Sequence, residues 1–138
     1  MRIAEVIKRA THRPSLPPQL EMAGAAIRRA LAEKPFDPPS RKELAPDSFT
    51  QQALRFFLET GEVTEVGEDV VLSKDTFGKM GDIVVDFIRT HGPATVGELR
   101  QALGSSRRVV VPFLERLDHD NVTRRAGDKR TLARKTSV

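Results

Sequence analysis

Two passages of this chain, sixty residues apart, are built to the same plan, and that repeat limits the fold more than any other feature. In the first, Gln19 to Glu33 carries Leu20, Ala23, Ile27 and Leu31 at helical spacing. The stretch KPFDPPSRKEL breaks that helix, and Ser40 with Glu43 three residues on has the form of a capping box for a short second one. PDSFTQQALRFFLETG follows, with Phe49, Ala53, Leu54, Phe57 and Leu58 on one predicted face and Gly61 as its stop. EVTEVGEDVVL then reads as a hairpin around Gly67-Glu68-Asp69.

The plan starts again at Ser73. Ser73 to Thr90 predicts a helix with Phe77, Met80, Ile83, Val84, Phe87 and Ile88 inward, closed by His91-Gly92-Pro93. Thr95 and Glu98 form a capping box for a helix holding Leu99 and Leu103. Ser105 or Ser106 caps a third helix with Val109 or Val110, Phe113, Leu114 and Leu117 inward, and Pro112 predicts a slight bend or a late start. The closing hairpin is VTRRAGDKRTL, Val122 to Leu132. A shift of sixty pairs Leu54 with Leu114, Phe57 with Leu117, Gly67 with Gly127 and Leu72 with Leu132.

Three helices and a hairpin, twice over, is the order of a winged helix-turn-helix domain. The expected fold is therefore mainly α with small β-hairpins: two tandem winged helix-turn-helix domains, residues 17–73 and 74–134. Units of about sixty residues are near the lower limit for independent stability, so the two are expected to pack together. Residues 1–16 read as a helical N-terminal extension or the end of an upstream domain, with Ile3, Val6, Ile7 and Ala10 at helical spacing; 135–138 form a tail.

Charge separates the copies. From Gly104 to Val138 there are nine Lys/Arg against four Asp/Glu, whereas Arg41 to Leu103 holds seven against eleven. The second hairpin carries Arg124, Arg125, Lys129 and Arg130; the first carries Glu62, Glu65, Glu68 and Asp69 at the same fold position. Either sign would protect an edge hairpin from aggregation, so the basic choice points to a polyanion and the acidic copy to a different partner. A helix N-terminus suits phosphate, and cations there are mildly unfavourable unless an anion arrives. Ser105, Ser106, Arg107 and Arg108 occupy that end of the third helix. Gly127 permits the tight turn between the two basic strands, and Asp128 serves the turn or orients a neighbouring arginine.

The string GSSRRVVVPFLERLDHDNVTRRAGDKRTL also resembles the last winged helix of bacterial selenocysteine-specific elongation factors (SelB). The matching residues are Ser106-Arg107, Leu114-Glu115, Leu117-Asp118, Thr123-Arg124-Arg125, Gly127-Asp128 and Arg130-Thr131-Leu132. Residues 20–72 are similar in layout to the family's penultimate winged helix, with PPSRKEL as the clearest local echo. Departures are Arg108 for a usual lysine, Val109 for a common aromatic and Thr131 for a usual valine.

The resemblance implies a domain that grips the mRNA hairpin marking a UGA codon for selenocysteine. Its RNA-binding residues would be Ser105, Ser106, Arg107, Arg108, Arg124, Arg125, Gly127, Asp128, Lys129 and Arg130. It further implies a cytoplasmic monomer that meets the ribosome and selenocysteinyl-tRNA through its parent factor, with GTP bound upstream. The chain has no GxxxxGK[ST] phosphate loop, so no cofactor is expected in it. Neither a catalytic constellation nor a metal set is read: His12, His91 and His119 are isolated. With no Tyr, Trp or Cys, neither a stacking platform for single strands nor a thiolate site is expected. No apolar run approaches the roughly 18 residues of a membrane span, so no membrane partner is expected. Two rival readings are a DNA-binding winged-helix transcriptional regulator and a protein-interaction module using the acidic copy. Glu115 and Asp118 on the exposed side of the third helix count against deep insertion into a DNA groove.

Overall fold

The computed structural model describes residues 15–133; the helix read at Arg2–Ala10 and the tail at 135–138 lie outside them. A 3-10 turn at Pro18–Leu20 leads into α1 (Glu21–Glu33), then α2 (Arg41–Leu44) and α3 (Ser48–Thr60). The first hairpin is β1 (Val63–Glu65) with β2 (Val71–Ser73). The second unit runs α4 (Lys74–His91), β3 (Ala94–Thr95), α5 (Val96–Leu103), α6 (Arg107–His119), β4 (Thr123–Ala126) and β5 (Lys129–Leu132). The chain is thus mainly helical with small antiparallel sheets, as its repeat predicts.

Local signals fix the helix ends. Reciprocal capping boxes join Ser40 to Glu43, Asp47 to Thr50, and Thr95 to Glu98. Each satisfies two backbone donors that a helix start otherwise leaves open. Gly61 and Gly104 end α3 and α5 in the left-handed region. There is no connecting segment between the two units. Ser73 closes β2 and caps α4, its hydroxyl accepting from the Thr76 N–H.

The two sheets differ. β1 and β2 form a two-stranded ribbon across a five-residue connection, with Val63 opposite Ser73. In the second unit the strand order is β3-β5-β4, so β5 is central, and Thr123 lies opposite Leu132. The second wing therefore closes one residue sooner than the first, and Gly127 and Asp128 make its turn. Gly127 takes φ +65°, as the first position of a two-residue turn after right-twisted strands favours. The third strand, β3, is not legible in the sequence, because two residues carry no periodicity.

Two cores form. One gathers Leu20, Ile27, Leu31, Leu44, Ala53, Leu54, Phe57, Val63 and Val71. The other holds Met80, Val84, Ile88, Leu99, Leu103, Val109, Val110, Phe113, Leu114 and Leu117. Val66, Val70 and Leu72 of the first hairpin belong to this second core, and Phe36 packs on it. Phe49 departs from its predicted place and stands 58% exposed. Eight helical residues turn it about 80° from Phe57, and it sits in the first turn, past the edge of the core. Pro112 lies within α6, which starts at Arg107, so the late start is not observed.

Candidate nucleic-acid interface

The first wing is spent inside the molecule. Its loop docks on one stripe of α6, Arg108, Pro112 and Arg116, spaced four apart. A Cβ added to Gly67 would stand 3.0 Å from the Pro112 Cβ, a tight fit, so glycine serves close approach there and not a positive φ. Arg116 donates from Nη1 to the Glu65 carbonyl oxygen at 2.7 Å, and its guanidinium lies 5.2 Å from the centre of the Phe77 ring. Three of the four acids of this wing are paired likewise. Glu62 accepts from Arg28 at 2.6 and 2.8 Å, Glu65 from Arg41 at 2.6 Å, and Asp69 lies 3.8 Å from Arg108. Acidic charge here matches the arginines of its own chain.

The start of α6 is also engaged. The Ser106 hydroxyl makes no cap bond to its own helix; it donates to Asp37 Oδ1 at 2.8 Å. Ser105 donates to the Phe36 carbonyl at 2.5 Å. Arg108 reaches Asp37 Oδ1 at 3.3 Å and also the Pro38 carbonyl. Of the four residues predicted at this helix end, three hold the segment between α1 and α2. Arg107 differs: it is exposed, and it makes no hydrogen bond or ion pair among the described residues.

The second wing sorts its cations by the two-residue period of a strand. Arg125 and Arg130 face each other across β4 and β5, with Thr123 and Leu132 on the same side. That side packs toward α6. Arg130 is 5% exposed and meets Asp118, donating from Nη2 to Oδ2 at 2.8 Å and from Nε to Oδ2 at 3.1 Å. The Thr123 hydroxyl donates to Asp118 Oδ1 at 2.6 Å. Arg130 is therefore a buried strut tying the central strand to α6, which corrects its grouping with the surface cations. Its shared face with Leu132 was the available sign.

Arg125 lies further out, exposed, with Nε donating to the Gly127 carbonyl at 3.2 Å. Arg124 and Lys129 occupy the opposite, outer face, and both are exposed, as are Gly127 and Asp128. The fold thus brings Arg124, Arg125 and Lys129 together around one two-residue turn. Arg107 stands apart, eleven residues or about 16 Å along α6 from the Asp118 anchor.

Lys129 also borders a second group. It lies opposite Thr95 of β3, whose backbone N–H donates to Glu98 Oε1 at 2.8 Å. That bond holds the Glu98 carboxyl below the usual carboxylate range, with the Lys129 and His91 charges adding to the effect. Sequence reasoning does not single out Asp37 or His91, and it sets Asp118 on the exposed side of the third helix, where the structure instead turns it to the wing and pairs it with the buried Arg130. Among the described residues no three His, Cys, Asp or Glu converge as metal ligands, and no helix is long and apolar enough to cross a membrane.

Residues 86–132 match the family model of the elongation factor SelB winged helix, bearing out the resemblance over that segment. The fold is similar to that of the mRNA-binding domain of elongation factor SelB from E. coli, solved in complex with SECIS RNA. The TM-score is 0.65 at 22% identity, covering 81% of this chain and 98% of that one. It is also similar to a bacterial selenocysteine-specific elongation factor, EF-Sec, at TM-score 0.65 and 18% identity. That match covers 87% of this chain, which spans about a fifth of the factor (20%). No curated protein matches the sequence.

Proposed function

We propose that this chain binds an mRNA hairpin of the selenocysteine-insertion type, as the RNA-binding end of a selenocysteine-specific elongation factor. The observation that carries the reading is the second wing: three exposed cations around one turn, in a fold shared along nearly the whole E. coli SelB mRNA-binding domain. Arg124, Arg125 and Lys129 contact backbone phosphates, Gly127 lets the RNA approach the turn, and Asp128 shapes it. Arg107 gives a separate contact at the start of α6. Ser105, Ser106, Arg108 and Arg130 act indirectly, by holding α6 and the wing in place. In this reading the chain itself catalyses nothing; GTP, selenocysteinyl-tRNA and the ribosome are met by other parts of the factor.

The DNA-regulator reading meets a steric objection. A recognition helix needs a bare face to enter a major groove. The first wing lies against the stripe Arg108, Pro112 and Arg116, and Arg107, Val111 and Glu115 beside it make a narrow strip whose far end is acidic.

The test is binding to a selenocysteine-insertion hairpin, a loop-scrambled hairpin and duplex DNA across a salt series. The intact hairpin should bind tightest. Changing Arg124 and Arg125 to alanine should weaken it and lower the slope of log K against log salt by roughly 0.7–0.9 for each phosphate no longer neutralised. Equal affinity for all three ligands refutes the function, and an unaltered slope refutes the wing assignment.

A further inference from the structure

Arg107 and Arg108 are neighbours at the start of α6, both exposed, and the fold treats them oppositely. Arg107 is left without a partner among the described residues, whereas the first unit holds Arg108 from two sides. Arg108 Nη2 lies 3.3 Å from Asp37 Oδ1 and also donates to the Pro38 carbonyl oxygen, while Nη1 lies 3.8 Å from Asp69 Oδ2. Glu33 and Glu43 line the same depression as Asp37 and Arg108, with Lys34 as the other cation of that lining.

Burial does not keep a ligand from Arg108, since its side chain is 39% exposed. Charge does. To reach this guanidinium a phosphate has to displace two carboxylates and then stand beside them, and like charges set together at a contact exclude a partner. The effect falls on selectivity. A phosphate contact carries no sequence information, so a free arginine here serves any paired stem as well as the intended hairpin. A cation taken out of use lowers the non-specific binding against which the hairpin competes.

We propose that Asp37 and Asp69 withhold Arg108 from nucleic-acid phosphate, leaving Arg107 to meet the RNA at the start of α6. The first unit thereby sets the selectivity of the second. This rests on the RNA-binding reading above and adds to it two specificity-determining residues that touch no RNA.

The experiment compares the wild type with the double variant Asp37→Asn with Asp69→Asn, and with a triple variant that adds Arg108→Ala. Asparagine keeps an oxygen for the Ser106 hydroxyl and removes only the charge. Each protein is titrated across a salt series with a selenocysteine-insertion hairpin and with a fully paired RNA of the same stem, after melting curves have matched the folded states. Freeing Arg108 should add one phosphate contact to the paired RNA. The slope of log K against log salt then grows by roughly 0.7–0.9, and binding at about 0.1 M salt tightens roughly five- to eightfold. The hairpin, whose pose is fixed by the wing and Arg107, should change by less than about twofold, so its preference over paired RNA falls. Adding Arg108→Ala should return the slope to the wild-type value. Should the double variant melt early, Asp37→Asn alone gives the same readings at smaller size.

An unchanged slope for paired RNA in the double variant overturns the proposal. So does a gain that survives Arg108→Ala, which would come from lost acid rather than a released arginine. Weaker binding of both RNAs by the double variant also overturns it, by making the two acids structural only. In each of these cases the hairpin preference of the wild type still stands; if the wild type shows none, the function fails as well.

Discussion

Replacing Arg130 with alanine should damage the fold rather than simply remove one RNA contact. The side chain is only 6% exposed and that of its partner Asp118 is 25% exposed. Removing the arginine leaves a carboxylate facing the core side of the wing with one remaining side-chain donor, the Thr123 hydroxyl. Breaking a buried pair from one side costs about 3–5 kcal/mol, and the access of water to Asp118 lowers this to roughly 2–3 kcal/mol. Unfolding entropy of about 2 cal/mol/K per residue makes 1 kcal/mol worth about 4 °C for a body of this size. The melting temperature should therefore fall by about 8–12 °C by calorimetry or circular dichroism. Arg125→Ala, directly across the strand pair, should leave it within about 2 °C. The double change Arg130→Met with Asp118→Leu should recover much of the stability, because a buried pair replaced by apolar side chains is often neutral. An Arg130→Ala protein that melts like the wild type, yet binds RNA poorly, would refute the strut and return Arg130 to the surface set.

Asp37→Ala removes the acceptor shared by Ser106 and Arg108. With both charged side chains more than a third exposed, the cost should be about 1 kcal/mol or less, a melting shift of about 4 °C at most. The three capping acids Glu43, Asp47 and Glu98 are each held below the usual range, first by a backbone N–H at Ser40, Thr50 and Thr95 respectively. A depressed folded-state pKa gives stability that is complete above the unfolded value and lost as pH falls through the folded one. Melting temperature should thus hold above about pH 5 and drop below about pH 4. The triple change Glu43→Gln, Asp47→Asn and Glu98→Gln, which removes the titrating carboxyls themselves, should flatten that acid limb.

Helix order, cap positions and most core residues are legible in the sequence because they rest on neighbours three or four apart. The capping box at Thr95–Glu98 and the inward set Val109, Phe113, Leu114 and Leu117 are local facts. The candidate site is legible as a cluster of charge, and Arg124, Arg125 and Lys129 do come together. What stays hidden is how each cation is used. Arg108 and Arg130 have the same charge as their neighbours, and only contacts with Asp37 and Asp118, 71 and 12 residues away, engage the first at the surface and bury the second. The acidic wing misleads for the same reason. Its carboxylates read as a second binding face until Arg28, Arg41 and Arg108 are placed beside them.

The wing-to-helix contact joining the two units has a consequence for assembly. It is head-to-tail, one copy's wing on the next copy's third helix, and contacts of that kind propagate from molecule to molecule unless something stops them. At the places of Val66 and Val70, whose side chains seal the joint, the shorter second wing has Ala126 and Lys129. The second wing therefore has no apolar tip to offer a neighbour, and its outer cations repel the arginine stripe of another α6. A small residue and a cation in place of that apolar pair leave the second wing without the surface by which the first one docks.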